Sequence, residues 1–234
     1  MNRHLTHLAA LGLAAALLGG CASQPVPAAP AALTREAQAA LTPDAVLQRL
    51  QEGNQRFTTG RQAPRDLKMQ IKATGYGQYP MASIVSCIDS RSAPELVFDQ
   101  GIGDVFGVRI AGNFVNEDML GSLEFASKVA GAKLIVVLGH TSCGAIKGAC
   151  DDVALGNLTG MLGKIKPAVQ SVAYAGERSS KNEQFVEMVA EANVRRTVLD
   201  ILNRSAVLRE MADKGQLRVV GAMLDVKTGE VRFY

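Results

Sequence analysis

Two short segments of this chain bring together residue types that can hold a metal: Cys87-Ile88-Asp89-Ser90-Arg91, and His140-Thr141-Ser142-Cys143-Gly144. Each follows an apolar run, Met81-Ala82-Ser83-Ile84-Val85-Ser86 in the first case and Val136-Val137-Leu138-Gly139 in the second. Two thiolates, one imidazole and one carboxylate make a donor set suited to tetrahedral zinc. Three protein ligands would leave one position open, where a bound water ionises near neutral pH and gives a hydroxide nucleophile. Neither segment carries this reading alone, because a buried cysteine beside a turn aspartate is common, and so is an isolated His-x-x-Cys. The pairing does, since both segments fall at the ends of predicted strands.

Those strands belong to an alternating pattern. Thr42-Pro43-Asp44-Ala45 opens a helix with proline just inside the cap, and Val46, Leu47, Leu50, Asn54 and Phe57 form one stripe. Strands are predicted at 81–86, 104–110, 133–138 and 217–224, with a turn at 227–230 leading back into 231–234. Helices are predicted from Ala93, over 119–129, within 155–172 and over 185–202. Continuous apolar strands alternating with helices indicate an α/β fold, a mainly parallel central sheet flanked by helices on both faces. Ligands of such sheets sit beyond the C-terminal strand ends, where Cys87 and His140 fall.

The paired motifs resemble the signature of the β-class carbonic anhydrases. The resemblance continues through Phe98-Asp99-Gln100, Gly103-Asp104-Val105-Phe106, Val108-Arg109-Ile110-Ala111-Gly112-Asn113 and Gly221-Ala222. It implies one zinc ion per chain on Cys87, His140 and Cys143, and reversible hydration of carbon dioxide to bicarbonate and a proton by zinc-bound hydroxide. Asp89 would be a fourth ligand in a closed state, or would pair with Arg91 and face the nucleophile in an open one. Gln78 and the Gly144 backbone N–H match substrate hydrogen-bond donors, and Phe106 and Ala111 match the apolar wall for carbon dioxide. The family forms homodimers or tetramers with sites at the dimer interface. Phe125 and Leu224 replace tyrosines common in the family, and the chain has no tryptophan. Alternative readings are a carbon disulfide-type hydrolase on the same fold, or a non-catalytic bicarbonate- or zinc-binding module of the envelope. The absence of Cys-x-x-Cys spacing argues against a disulfide oxidoreductase.

The N-terminal stretch reads as an export signal over residues 1–20, with Arg3 ahead of a run too short to span a membrane. Leu18-Gly19-Gly20-Cys21 resembles a bacterial lipoprotein processing site, with Cys21 as the lipidated residue; an ordinary signal peptide cut nearby is the alternative. Residues 21–40 are expected to form a flexible tether, and 41–234 the catalytic domain. These features predict an exported, periplasmic protein held to the outer membrane by its lipid, its only membrane contact. The formal charge of +3 falls to +2 without Arg3, and with no Lys/Arg block nucleic acid is not an expected partner. Cys150 is expected to be a small buried residue.

Overall fold

The computed structural model describes residues 32–234. Five strands form one sheet in the order β2-β1-β3-β4-β5: β1 (Ala82–Ser86), β2 (Val105–Arg109), β3 (Leu134–His140), β4 (Arg218–Leu224) and β5 (Val231–Phe233). The first four are parallel and β5 returns antiparallel to β4. Strands β1 and β3 are neighbours, in the register Ser86 to Leu138. Cys87 and His140 therefore leave adjacent strands at the same edge.

Every residue of β1 and β3 is buried, and their two faces feed two apolar layers. Leu134, Val136 and Leu138 pack with Val46 and Leu50 of α2 (Pro43–Thr58) and with Phe98. Ile135 and Val137 join Val85, Val189 and Val194 on the other face, under α9 (Glu183–Arg204). The strict alternation of side chains along a strand makes one run serve both layers. Thr42 caps α2, its side chain accepting from Ala45 N, and Pro43 occupies the first turn where its missing N–H costs nothing.

Helix α2 approaches α4 (Pro94–Val97) closely enough that a Cβ on Gly53 would lie 1.9 Å from the Phe98 carbonyl oxygen. Asn54 completes the junction, its Nδ2 donating to Val97 O and Gly229 O. Gly53→Ala is expected to lose about 2 kcal/mol of stability, since overpacking against backbone outweighs the better helix propensity of alanine. Urea unfolding measures this, and an unchanged or higher midpoint would contradict the packing.

The structure departs from the predicted elements in several places. The folded part begins before position 41: α1 (Arg35–Ala39) is capped by Thr34, and its Gln38 is buried, so these residues are not a loose tether. The remaining tether, the signal and Cys21 lie outside the described residues. The helix expected over 119–129 is α5 (Glu117–Glu124), continued by one π-helical turn at Phe125–Val129. The region 155–172 splits into α7 (Gly156–Gly163) and α8 (Lys166–Ser171), because Pro167 fits only the first turn of a new helix. Helices α3 (Leu67–Thr74), α6 (Gly144–Cys150) and α10 (Ala206–Asp213) were not anticipated. Cys150 is buried with a free thiol, as expected. No helix among the described residues is long and apolar enough to cross a membrane.

Candidate metal centre and active site

The ends of β1 and β3 bring Cys87 Sγ, a His140 ring nitrogen and Cys143 Sγ together, all three donor atoms within 4.8 Å of one another and all three residues buried. Cys87 follows β1 directly, and His140 is the last residue of β3. The chain then turns sharply, with Ser142 in the left-handed region (φ 54°), so that Cys143 comes back beneath the strand end and caps α6.

Protonation in this cluster is already biased. A hydrogen bond from the Cys143 thiol, opposed by burial, takes the Cys87 thiol down to about 4, helped by the backbone N–H groups of Gly112 and Asp89. The same contact, with burial, pushes the Cys143 thiol up, although the N–H groups of Ile146 and Ala145 at the start of α6 work the other way. One thiolate thus exists beside a thiol whose proton a cation would displace. His140 Nδ1 lies 2.9 Å from Thr141 O, which leaves Nε2 as the lone-pair nitrogen. Nε2 is buried and has no hydrogen-bond partner among the described residues. A buried acceptor without a partner, aimed at two sulfurs, is the arrangement a zinc ion requires.

Asp89 stands at the mouth of the cluster, its Oδ2 3.9 Å from His140 Nε2. Arg91 holds it there: Nε donates to Oδ1 at 2.9 Å, Nη2 to Oδ2 at 2.8 Å, and the Arg91 backbone N to Oδ1 at 2.9 Å. The Arg91 side chain holds the carboxyl well below the usual carboxylate range, against a smaller opposing effect of burial. Of the two states described for the pair, the arrangement corresponds to the one in which Asp89 is held by Arg91.

Three positioning residues were missed by sequence reasoning. Arg109, on β2, donates from Nε to Cys87 O at 2.9 Å and from Nη2 to Asp89 O at 2.6 Å. Ser92 Oγ donates to Asp89 O at 2.9 Å. Asn193 of α9 donates from Nδ2 to Gly112 O at 2.8 Å, and Gly112 N lies 3.5 Å from Cys87 Sγ. Gly112 has φ 83°, and a Cβ there would meet Ile165 Cδ1 at 2.4 Å, so only glycine lets this backbone reach the sulfur. Arg109 and Gly112 lie in the motif that carries the family resemblance; Asn193 has no local signal.

The expected substrate residues divide into two groups. Gly144, next to Cys143, faces open space, and Ala111 adjoins Gly112; both lie with the metal cluster. Gln78 and Phe106 do not. Gln78 precedes β1 whereas Cys87 follows it, and a strand advances roughly 3.3 Å per residue. Phe106 pairs with Ser83, in the first half of β1. Together with Tyr79, Phe125 and Val129 they line a separate cavity of about 450 Å³ at the opposite edge of the sheet. Leu224, the other departure from the family pattern, is fully buried.

Comparison with known proteins agrees with this site. A family model described as carbonic anhydrase matches residues 82–231. "Carbonic anhydrase 2" of Mycobacterium tuberculosis is 38% identical over 191 residues, covering 80% of this chain and 90% of that protein. Among solved structures, the β-carbonic anhydrase CcaA aligns with a TM-score of 0.65 at 26% identity, over 80% of this chain and 87% of that one. The β-carbonic anhydrase CafA of Aspergillus fumigatus aligns with a TM-score of 0.61 at 25% identity, over 82% and 89%. These likenesses show that the chain, with its Cys87, His140 and Cys143 cluster, belongs to the β-class carbonic anhydrases.

Proposed function

We propose that this protein catalyses the reversible hydration of carbon dioxide to bicarbonate and a proton, and that Cys87, His140 and Cys143 hold its catalytic zinc. The observation that carries the reading is the buried, partnerless His140 Nε2 facing two cysteine sulfurs beside an Arg91-clamped carboxylate. Zinc bound there supplies a Lewis acid that brings the ionisation of water into the neutral range. Asp89 Oδ2 accepts the hydrogen of the attacking oxygen and so turns a lone pair toward carbon dioxide. Arg91 keeps that acceptor anionic and away from the metal position. Arg109 and Ser92 fix the loop through its carbonyls, so the carboxylate is placed before substrate arrives. The Gly144 N–H, at the first position of α6, is the donor for a bicarbonate oxygen.

Gln78 and Phe106 belong to the same reaction through assembly. They line a cavity with Phe125 and Val129, which are 55% and 72% exposed in the single chain. Large apolar side chains left open beside a substrate motif mark a surface made for another protein. A second copy of this chain supplies Gln78 and Phe106 to the metal centre of the first, in a homodimer or in a tetramer built from two such dimers. Export and lipidation at Cys21 place that assembly in the periplasm at the outer membrane; the support is the Leu18-Gly19-Gly20-Cys21 motif.

Stopped-flow hydration assays test the activity and expose its slow step. Each turnover must release a proton, and histidine is the side chain suited to carrying it near neutral pH. His140 is the only histidine after His7, and it is committed to the metal. Turnover at saturating carbon dioxide is therefore expected to rise markedly with imidazole-type buffer, while kcat/KM barely changes. No hydration at any buffer concentration would overturn the function. Maximal turnover at trace buffer would overturn the proton argument.

A further inference from the structure

Helix α1 is held against the cavity that contains Gln78. Gln38, 6% exposed, donates from Nε2 to Pro80 O at 2.7 Å and to Ala130 O at 2.8 Å. That single amide ties α1 to the approach to β1, two residues past Gln78, and to the end of the π-helical turn that carries Phe125. Arg35, one turn earlier, is thereby set over Tyr79: its guanidinium carbon lies 5.1 Å from the ring centroid, and Nη2 is 3.5 Å from Tyr79 Oη. Arg35 lines the same cavity as Gln78, Phe106 and Phe125, with Lys133 as a second cation. None of the residues lining the cavity carries a carboxylate. Two cations, the Gln78 carboxamide and apolar walls suit a small planar oxyanion, and the fork of a guanidinium matches two of its oxygens.

We propose that Arg35 is a bicarbonate-binding residue of the assembled active site, presented by α1 at the pocket that Gln78 and Phe106 complete on a second copy. This rests on the assembly reading given above. The stacking on Tyr79 orients the guanidinium in advance and lowers the cost of fixing a flexible side chain. Carbon dioxide has no net charge, so the contribution appears where the anion is held. The side chain is exposed, and its attraction for the anion is screened by salt.

The readout is inhibition of carbon dioxide hydration by added bicarbonate, measured at low and high ionic strength, with sedimentation velocity on each variant. For Arg35→Gln the inhibition constant is expected to rise about three- to tenfold at low ionic strength, the size expected from losing a partly exposed charge-assisted contact. The difference should narrow in high salt. Arg35→Lys, which keeps the charge but not the fork, should fall between, and it serves as the second variant if glutamine disturbs assembly. Gln78→Ala separates the two levels of the argument. If it weakens bicarbonate inhibition while both Arg35 variants match the wild type, the role of Arg35 is overturned and the assembled site stands. If Gln78→Ala and both Arg35 variants all match the wild type, the assembly reading fails and the role of Arg35 with it.

Discussion

Arg91→Ala is expected to lower hydration activity by about 10- to 100-fold, the usual cost of removing a residue that orients a metal site, while zinc stays bound. Two of the three hydrogen bonds from Arg91 to Asp89 come from its side chain, and the variant loses both. The carboxylate then keeps only the Arg91 backbone N–H, with Oδ2 3.9 Å from His140 Nε2. Nothing else among its described contacts restrains it from turning inward and occupying the place that water needs. The expected signature is therefore full metal content with little turnover, and a crystal structure with Asp89 directed at the metal. Wild-type turnover across the pH range, with Asp89 still outside, would show that Arg91 has no such role.

Much of this site was legible because its chemistry is concentrated in short segments. Cys87 and His140 follow apolar runs long enough to be strands and too short to be helices, and two βα units between them allow the strands to be adjacent. The Asp89–Arg91 pair is local and needed no tertiary information. What was missed depends on contacts across the fold. Helix α1 has an alanine-rich sequence that resembles a tether, and it is fixed by one buried glutamine whose partners, Pro80 and Ala130, are 42 and 92 residues away. Asn193 acts on Gly112 over 81 residues. The π-helical turn at Phe125 interrupts a stripe whose apolar spacing fits an ordinary helix. The separation of Gln78 from the metal was readable in principle, since residues at opposite ends of one strand cannot share a pocket within a single chain. Motif matching places residues in an active site without saying which copy supplies them.

Replacing Cys87, His140 or Cys143 by alanine is expected to have the largest effect of all, because a three-ligand site loses most of its hold on the metal with one ligand gone. The ionisation of water then returns from the neutral range toward its much higher bulk value, and hydroxide is no longer available at neutral pH. Loss of metal together with activity separates these variants from Arg91→Ala, which keeps the metal. His140→Ala is the cleanest, since it removes the partnerless Nε2 and leaves both sulfurs. Metal analysis and stopped-flow carbon dioxide hydration on the same samples of wild type and His140→Ala test the account most directly. The wild type should carry one zinc per chain and hydrate carbon dioxide, and the variant should lack both properties. A His140→Ala protein with stoichiometric zinc and undiminished hydration would contradict the assignment of this centre.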